Sequence, residues 1–297
     1  GRYIVVFKGR LGEEYGAVIG KVYGDKLLFI SDRAGASEIF SMSPDGSNLK
    51  KVLLNNDADI TYTHPVVSPD GTMLAFHSNR DGSDGIWMLY FASDIIRKIA
   101  DGYWPFWSSN GKQLVYSKKT GIKSDIYIFN IDTNKETRLT DDSYNNLWPS
   151  WSPDGSMIAY TSQRENKADI IVVELNSKRM QNLTALLDNL DRWKPSWSPD
   201  GKRIAYEKPT KIVYALNEPW FVNVHVFEID TGKEINITNT DINNSEHGVW
   251  NGTPDWIDNE RIVIESNISG ETWSDLWVVN SGGGGFITRL TNSPGNY

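Results

Sequence analysis

Four histidines are the first candidates for chemistry in this chain: His64, His77, His225 and His247. Clustered imidazoles hold transition metals or move protons near neutral pH. Their spacing argues against a shared site, because no His-x-x-x-His pair occurs and the four fall at unmatched places in the strand pattern. The chain has no cysteine, which removes disulfides, thiolate nucleophiles and cysteine zinc sites. It has no G-x-S-x-G elbow, no phosphate-cradling loop and no dinucleotide fingerprint; the glycine run Gly282 to Gly285 leads into a strand rather than a helix. Carboxylates are the other candidates. An acidic residue opens what reads as the third strand of successive units at Glu38, Asp125, Asp169 and Asp275, with Asn223 and Gly85 as exceptions. A ring of carboxylates would be the functional reading. Repetition in every unit favours a structural hydrogen bond instead, to a nearby turn or to backbone. The expectation is therefore no catalytic residue, no cofactor and no metal, with calcium at carboxylate-rich loops as the one ion to consider, although no EF-hand spacing exists.

What positions these residues is a repeat. Trp151 to Tyr160 reads W-S-P-D-G-S-M-I-A-Y, Trp197 to Tyr206 reads W-S-P-D-G-K-R-I-A-Y, and related copies start at Trp107 and Val67. The motif glycines Gly71, Gly111, Gly155 and Gly201 recur at about 40 to 46 residues, the period of an array of similar units. Pro presets φ at the second position of the turn, Asp suits the third, and Gly closes it. The apolar run that follows is a strand. Counting strands gives six units of four, the sixth diverging where Asp258-Asn259 replaces Pro-Asp-Gly. Runs such as Ile170-Ile171-Val172-Val173 are apolar on both faces and need cover on both sides. The expected fold is all-β, a six-bladed β-propeller with four-stranded antiparallel blades over residues 13–297.

The pattern Pro-x-Trp-Ser-Pro-Asp-Gly, then Ile-Ala-Tyr, then Asp-Ile, then a closing Leu-Thr, resembles the TolB-like six-bladed propeller repeat family, a WD40-like architecture. The resemblance covers nearly the whole chain and is strongest in units two to five. It implies the fold and leaves function open, since such propellers serve as periplasmic or surface adaptors, as gating domains of peptidases and as metal-dependent lyases.

Composition narrows the partners. A net charge of −8 excludes a nucleic-acid backbone, which needs a basic face. No apolar run is long enough to span a membrane. The chain opens at Gly1 without a signal segment, and sequons stand at Asn182, Asn236, Asn243, Asn251 and Asn267, which together suit an exported protein of the periplasm, cell surface or extracellular space. The loops between units are acidic and aromatic. Tyr62, Trp104, Trp148 and Trp193 precede first strands, while Trp220 and Trp250 lie in insertions; these six are the candidate partner-binding face, for a peptide, a glycan or a basic protein, with packing between blades as the structural alternative.

One strand is surplus. Tyr3, Ile4, Val5, Val6 and Phe7 form an apolar run in residues 1–12, ahead of the complete ring. It must pair somewhere. It either clasps its own ring beside Phe286 to Thr291, or adds to a neighbouring copy and makes a homo-oligomer or fibre. The leading expectation is thus a non-catalytic, exported interaction scaffold, with self-assembly through this strand. A soluble peptide- or glycan-binding module is the alternative, and a metal-dependent lyase or hydrolase relative the minor one.

Overall fold

The computed structural model describes residues 3–4, 19–20, 27–31, 38–42, 48, 50–52, 60–164, 167–210, 221–240, 248–268 and 275–289. All regular structure within them is β. The chain divides into two compact units, Gly1–Ser143 and Tyr144–Tyr297.

In the first unit, β1 (Tyr3–Ile4) pairs antiparallel with β2 (Ile19–Gly20). β3 (Leu27–Ser31), β4 (Glu38–Met42) and β5 (Lys50–Lys51) form a three-stranded sheet. Two four-stranded blades follow. Blade two is β6 (Tyr62–Val67), β7 (Met73–Ser78), β8 (Gly85–Tyr90) and β9 (Ile95–Ala100). Blade three is β10 (Tyr103–Trp107), β11 (Gln113–Thr120), β12 (Lys123–Asn130) and β13 (Lys135–Arg138). The second unit holds three more. Blade four is β14 (Asn145–Trp151), β15 (Met157–Arg164), β16 (Lys167–Glu174) and β17 (Met180–Asn182). Blade five is β18 (Trp193–Trp197), β19 (Arg203–Pro209), β20 (Val222–Glu228) and β21 (Glu234–Asn236). Blade six is β22 (Asn251–Trp256), β23 (Arg261–Ser266), β24 (Asp275–Asn280) and β25 (Phe286–Arg289).

Among the described residues five four-stranded antiparallel blades stand where six were expected. The first sheet has three strands because Ile19–Gly20, inside the segment expected to begin it, is hydrogen-bonded to β1 instead. That sheet also has its Pro-Asp-Gly copy, Pro44-Asp45-Gly46, between β4 and β5, whereas in blades two, four and five the motif stands between first and second strand. The expected clasp beside Phe286 to Thr291 finds no counterpart among the described residues: β25 pairs with β24, and Tyr3–Ile4 with β2. Val5, Val6 and Phe7 lie outside the described residues.

The motif turns form as their chemistry dictates. In blade two Gly71 adopts φ 75° and its N–H donates to the Ser68 carbonyl at 2.8 Å. Ser68 Oγ donates to Asp70 at 2.6 Å and accepts the Met73 N–H at 2.9 Å. Ser152–Asp154 and Ser198–Asp200 repeat the brace, each at 2.6 Å. The serine's bond holds the Asp70 and Asp154 carboxyls below their ordinary range.

The motif tryptophan joins blade to blade. Trp107 Nε1 donates to the Val66 carbonyl at 3.0 Å, Trp197 Nε1 to Ser150 at 3.2 Å, and Trp256 Nε1 to Ser196 at 3.0 Å. Each reaches the first strand of the preceding blade. The fully buried second and third strands fill the space between, as with Ala205, Val224, Val226, Ile262 and Ile264. This is the cover that apolar runs on both sheet faces require.

The recurrent acid of the third strand has a structural partner. Asp125 accepts from Thr140 Oγ1 at 3.1 Å while that hydroxyl accepts the Ile126 N–H at 2.9 Å. Asp169 with Thr184 and Asn223 with Thr238 do the same. The brace therefore runs to the threonine closing the fourth strand rather than to the motif turn, which explains why Leu-Thr recurs. Blade two has Gly85 and Ala100 at these positions. There Lys98 lies across Gly85 and bonds Asp81 and Ser83, each at 2.8 Å.

Candidate functional site

Every four-stranded blade has a proline in its first strand: Pro65, Pro105, Pro149, Pro195 and Pro254. The residue before each has a left-handed backbone: His64 at φ 50°, Trp104 at 55°, Trp148 at 51°, Lys194 at 54° and Thr253 at 47°. Non-glycine residues rarely adopt this region, at a cost of about 1–3 kcal/mol each. The strand register shifts at the same point in all five, which is the signature of a bulge that re-aims a side chain. The five residues share a backbone and not a side-chain type.

In the second unit three of these positions come together with other groups. Lys194 Nζ lies 6.0 Å from the centroid of the Trp148 ring and 5.5 Å from that of Trp250. It pairs with Glu207 Oε1 at 3.2 Å, and Glu207 is almost fully buried. The same oxygen accepts the Thr253 N–H at 2.6 Å. Gly252 makes room for this packing, since a Cβ there would overlap the Trp250 ring and stand 2.6 Å from Glu207 Oε1. Trp250 is held from outside the repeat by a parallel bridge to Val222 and by the Asn267 side chain, which accepts its N–H at 2.7 Å. The result is an ammonium between two indoles with a carboxylate beside it. Cation–π contacts with desolvation make such arrangements strong.

In the first unit the equivalent residues are aromatic throughout. His64 meets Trp104 edge to face at 6.1 Å, Trp104 meets Tyr103 at 5.4 Å, and Tyr103 meets His77 at 5.8 Å. His77 bridges Thr63 Oγ1 at 2.8 Å and Asp84 Oδ1 at 3.1 Å, and burial holds its pKa below the ordinary value in spite of Asp84.

The six candidate face residues separate on inspection. Tyr62 is 1% exposed and packs edge to face on Phe76 at 5.6 Å, so it belongs to the core. Trp104 and Trp148 occupy the left-handed position, and Trp193 lies one residue before it, paired across the sheet with Glu207. All three stand inside first strands rather than before them, and all are half-buried. Trp250 joins Trp148 through Lys194. Trp220 lies outside the described residues. Lys194, Glu207 and Thr253 were not singled out in the sequence; the signal for Lys194 and Thr253 was their register against the proline, and Glu207, in β19, had none.

The sequons acquire a structural account. The Asn182 amide donates to Asp169 at 3.0 Å, Asn251 is fully buried, and Thr184 and Thr238 are the buried braces described above. The triplets at Asn182 and Asn236 record the closure of a fourth strand, and that at Asn251 lies in the first strand β22. Among the described residues no group of three or more His, Asp or Glu side chains is placed to hold a metal ion, and no helix is long and apolar enough to cross a membrane.

Comparison with known proteins places this geometry among its relatives. Residues 65–245 match the family model described as the TolB beta propeller domain. A protein TolB homolog of Chlorobium luteolum is 30% identical over 122 residues, covering 40% of this chain and 27% of that protein. The Tol-Pal system protein TolB of Campylobacter jejuni is 29% identical over 116 residues, 37% of this chain and 28% of that one. The match thus spans little more than a quarter of these curated relatives. Among solved structures, TolB from Acinetobacter baumannii superposes with a TM-score of 0.67 at 19% identity, covering 93% of this chain and 66% of that one. An oligogalacturonate lyase in complex with manganese reaches 0.62 at 12% identity over 100% of this chain and 88% of that one. At such identities the structural likeness speaks for the fold alone.

Proposed function

We propose that this chain, which belongs to the TolB beta propeller domain family, is a non-catalytic protein-interaction module that binds a partner through the Trp148–Lys194–Trp250 cluster. One observation carries the reading. Strained backbone, two half-buried indoles and a desolvated ammonium converge on a single place in the second unit. Aromatic and cationic anchors of this kind dominate protein interfaces. Strain held by a whole blade framework clusters where function needs a fixed side chain. The family supports protein binding as the activity class, and the acidic charge balance excludes nucleic acid.

Peptides and glycans are the two ligand classes such an aromatic site fits, and an array of each tests the proposal. Binding by the wild-type chain should fall at least about tenfold in Trp148→Ala and in Trp250→Ala, with the unfolding midpoint of each variant measured in parallel. Absence of binding by either class above background, or equal binding by both variants, rejects the site. Export to the periplasm or beyond is proposed with this function.

Assembly through Tyr3, Ile4, Val5, Val6 and Phe7 is the finer proposal. Tyr3–Ile4 already pairs within the chain, so donation to a neighbouring copy would require exchange of β1. Removal of residues 1–9 with light scattering decides it: an unchanged particle size rejects a fibre or oligomer built on this strand.

A further inference from the structure

The loop between β17 and β18 displays apolar side chains and is held by several cations at once. Leu186 is 97% exposed and Leu187 38%, and Ala185, Asp188 and Asn189 beside them are exposed too. Single exposed leucines need no explanation. This pair differs because the half-buried Lys167 and the buried Arg192 and Lys208 hold the loop that carries it. Lys167 Nζ donates to the carbonyls of Thr184 at 3.4 Å, Ala185 at 3.3 Å and Asp188 at 3.0 Å. Arg192, fully buried, donates to the Leu190 carbonyl at 2.7 Å and to Asp188 Oδ1 at 2.9 Å. Lys208 pairs with the other Asp188 oxygen at 2.8 Å. The Ala168 N–H donates to Asp191 at 2.7 Å and the Arg192 N–H to the Ala168 carbonyl at 2.9 Å, while the Ile170 N–H donates to Thr184 Oγ1 at 3.0 Å, so both ends of the loop are tied to β16.

Burying charges costs free energy that apolar packing would not. Here that cost fixes a backbone whose apex is apolar and lies in water. A rigid loop binds without the ordering penalty that a mobile one incurs. We infer that the 184–192 loop is a preformed knob whose leucines insert into an apolar cleft on a partner protein. The inference rests on the interaction-module reading and names a second contact for the same partner. Charge selects the occupant. The apex continues into Asp188, and the chain carries a net charge of −8, so an anionic lipid surface and a second copy of this chain are both repelled. Both Asp188 oxygens are engaged by Arg192 and Lys208, so it is the chain's net negative charge that a basic rim complements, around a cleft that takes Leu186 and Leu187.

The experiment places a photoreactive phenylalanine at position 186, and separately at position 250, in the full chain exposed to an extract of the cells that make it. The expected result is one protein crosslinked from both positions. That protein, purified, binds the wild-type chain saturably, and Leu186→Asp weakens the binding at least about tenfold without moving the unfolding midpoint. Lys167→Met keeps both leucines and frees the loop, and should weaken binding by a smaller factor, about threefold. A crosslink from 250 with none from 186, or binding unchanged in Leu186→Asp, overturns the knob and leaves the module reading intact. No crosslink from either position overturns both. Crosslinking of the chain to itself, or co-sedimentation with phosphatidylglycerol vesicles that Leu186→Asp abolishes, replaces the protein partner with a second copy or with lipid and overturns the inference.

Discussion

Blades three and five use one brace with different surroundings. In blade three, Tyr116 and Lys118 of β11 both donate to Glu136 of β13, and Tyr127 of β12 stacks on Tyr116 at 6.3 Å. In blade five, Tyr206 and Lys208 of β19 donate to Glu234 of β21, at 2.5 Å and 2.6 Å, and His225 of β20 stacks on Tyr206 at 6.3 Å. The skeleton is the same. Blade five adds Arg192, whose Nε lies 3.3 Å from Glu234, and Asp188, which Lys208 and Arg192 hold near a pKa of about 2 against the cost of its partial burial. A brace that in blade three ties only its own strands in blade five also ties the loop arriving from blade four. The difference teaches that a repeated structural device becomes a loop anchor when one loop cation is buried beside it.

Removing that cation should produce the largest effect. Arg192→Met leaves the largely buried Glu234 short of a donor and removes one partner of the more exposed Asp188, and loss of one partner of a buried pair costs about 3–5 kcal/mol. Urea unfolding measures it. A loss under about 1 kcal/mol would make blade five no different from blade three and break the comparison.

The second test exchanges the stacked ring. Burial lowers the His225 pKa to about 4 from 6.5, with Glu234 acting in the opposite direction. Between those values the unfolded chain binds the proton more tightly than the folded chain. His225 therefore contributes stability that is complete above about pH 6.5 and is lost as pH falls toward 4, on the order of 3 kcal/mol. Glu234 is itself lowered from 4.5 by Lys208 and Tyr206, against desolvation, so its contribution is lost only below that pH. His225→Tyr gives blade five the ring that blade three carries. The loss of stability between pH 6.5 and 4.5 should shrink in the variant, while the loss below 4.5 remains. An unchanged profile from pH 7.5 to 3.5 would place the titration elsewhere.

A third test asks whether the rest of the two blades is equivalent. Thr140 and Thr238 each bridge a third-strand oxygen and a third-strand N–H. Thr140→Val and Thr238→Val should each cost about 1–2 kcal/mol, and by similar amounts. A large disparity would mean that the blades differ beyond the ion cluster.

These differences bear on what the sequence could convey. The motif turns were legible because Ser, Asp and Gly act within five residues of one another, and side-chain chemistry alone sets such a turn. The strand count was legible for the same reason, and miscounted the one blade whose Pro-Asp-Gly lies between β4 and β5 rather than ahead of β3. Lys194 was not legible. Its neighbours in the array are His64, Trp104, Trp148 and Thr253, so the conserved quantity is a backbone angle that no residue type reveals. The Arg192–Glu234 pair was hidden differently, since its partners lie about 40 residues apart and, although Glu234 recurs as Glu136 in blade three, Arg192 has no counterpart there. Tyr62 shows the converse error: it looks like Trp104 in the sequence, but stands three residues before its proline rather than one, and that offset places it in the core.

The smallest expected effect is the most direct control. Lys118 and Glu136 pair at 2.7 Å with side chains 25% and 31% exposed, and Lys118 also lies 5.1 Å over the Tyr127 ring. Water reaches both charges, so much of the attraction is screened and the methylene stem supplies part of the packing. Lys118→Met keeps that stem and should cost about 0–1 kcal/mol. The matching change in blade five, Lys208→Met, removes a side chain only 7% exposed that bonds two carboxylates, and should cost more. Measured together by urea unfolding at neutral pH, the two variants report the combined contribution of burial and of the second carboxylate, Asp188, because the donor, the shared glutamate and the strand positions are otherwise alike. Equal losses would show that the brace has one strength in both blades, and that Arg192 alone makes the anchor.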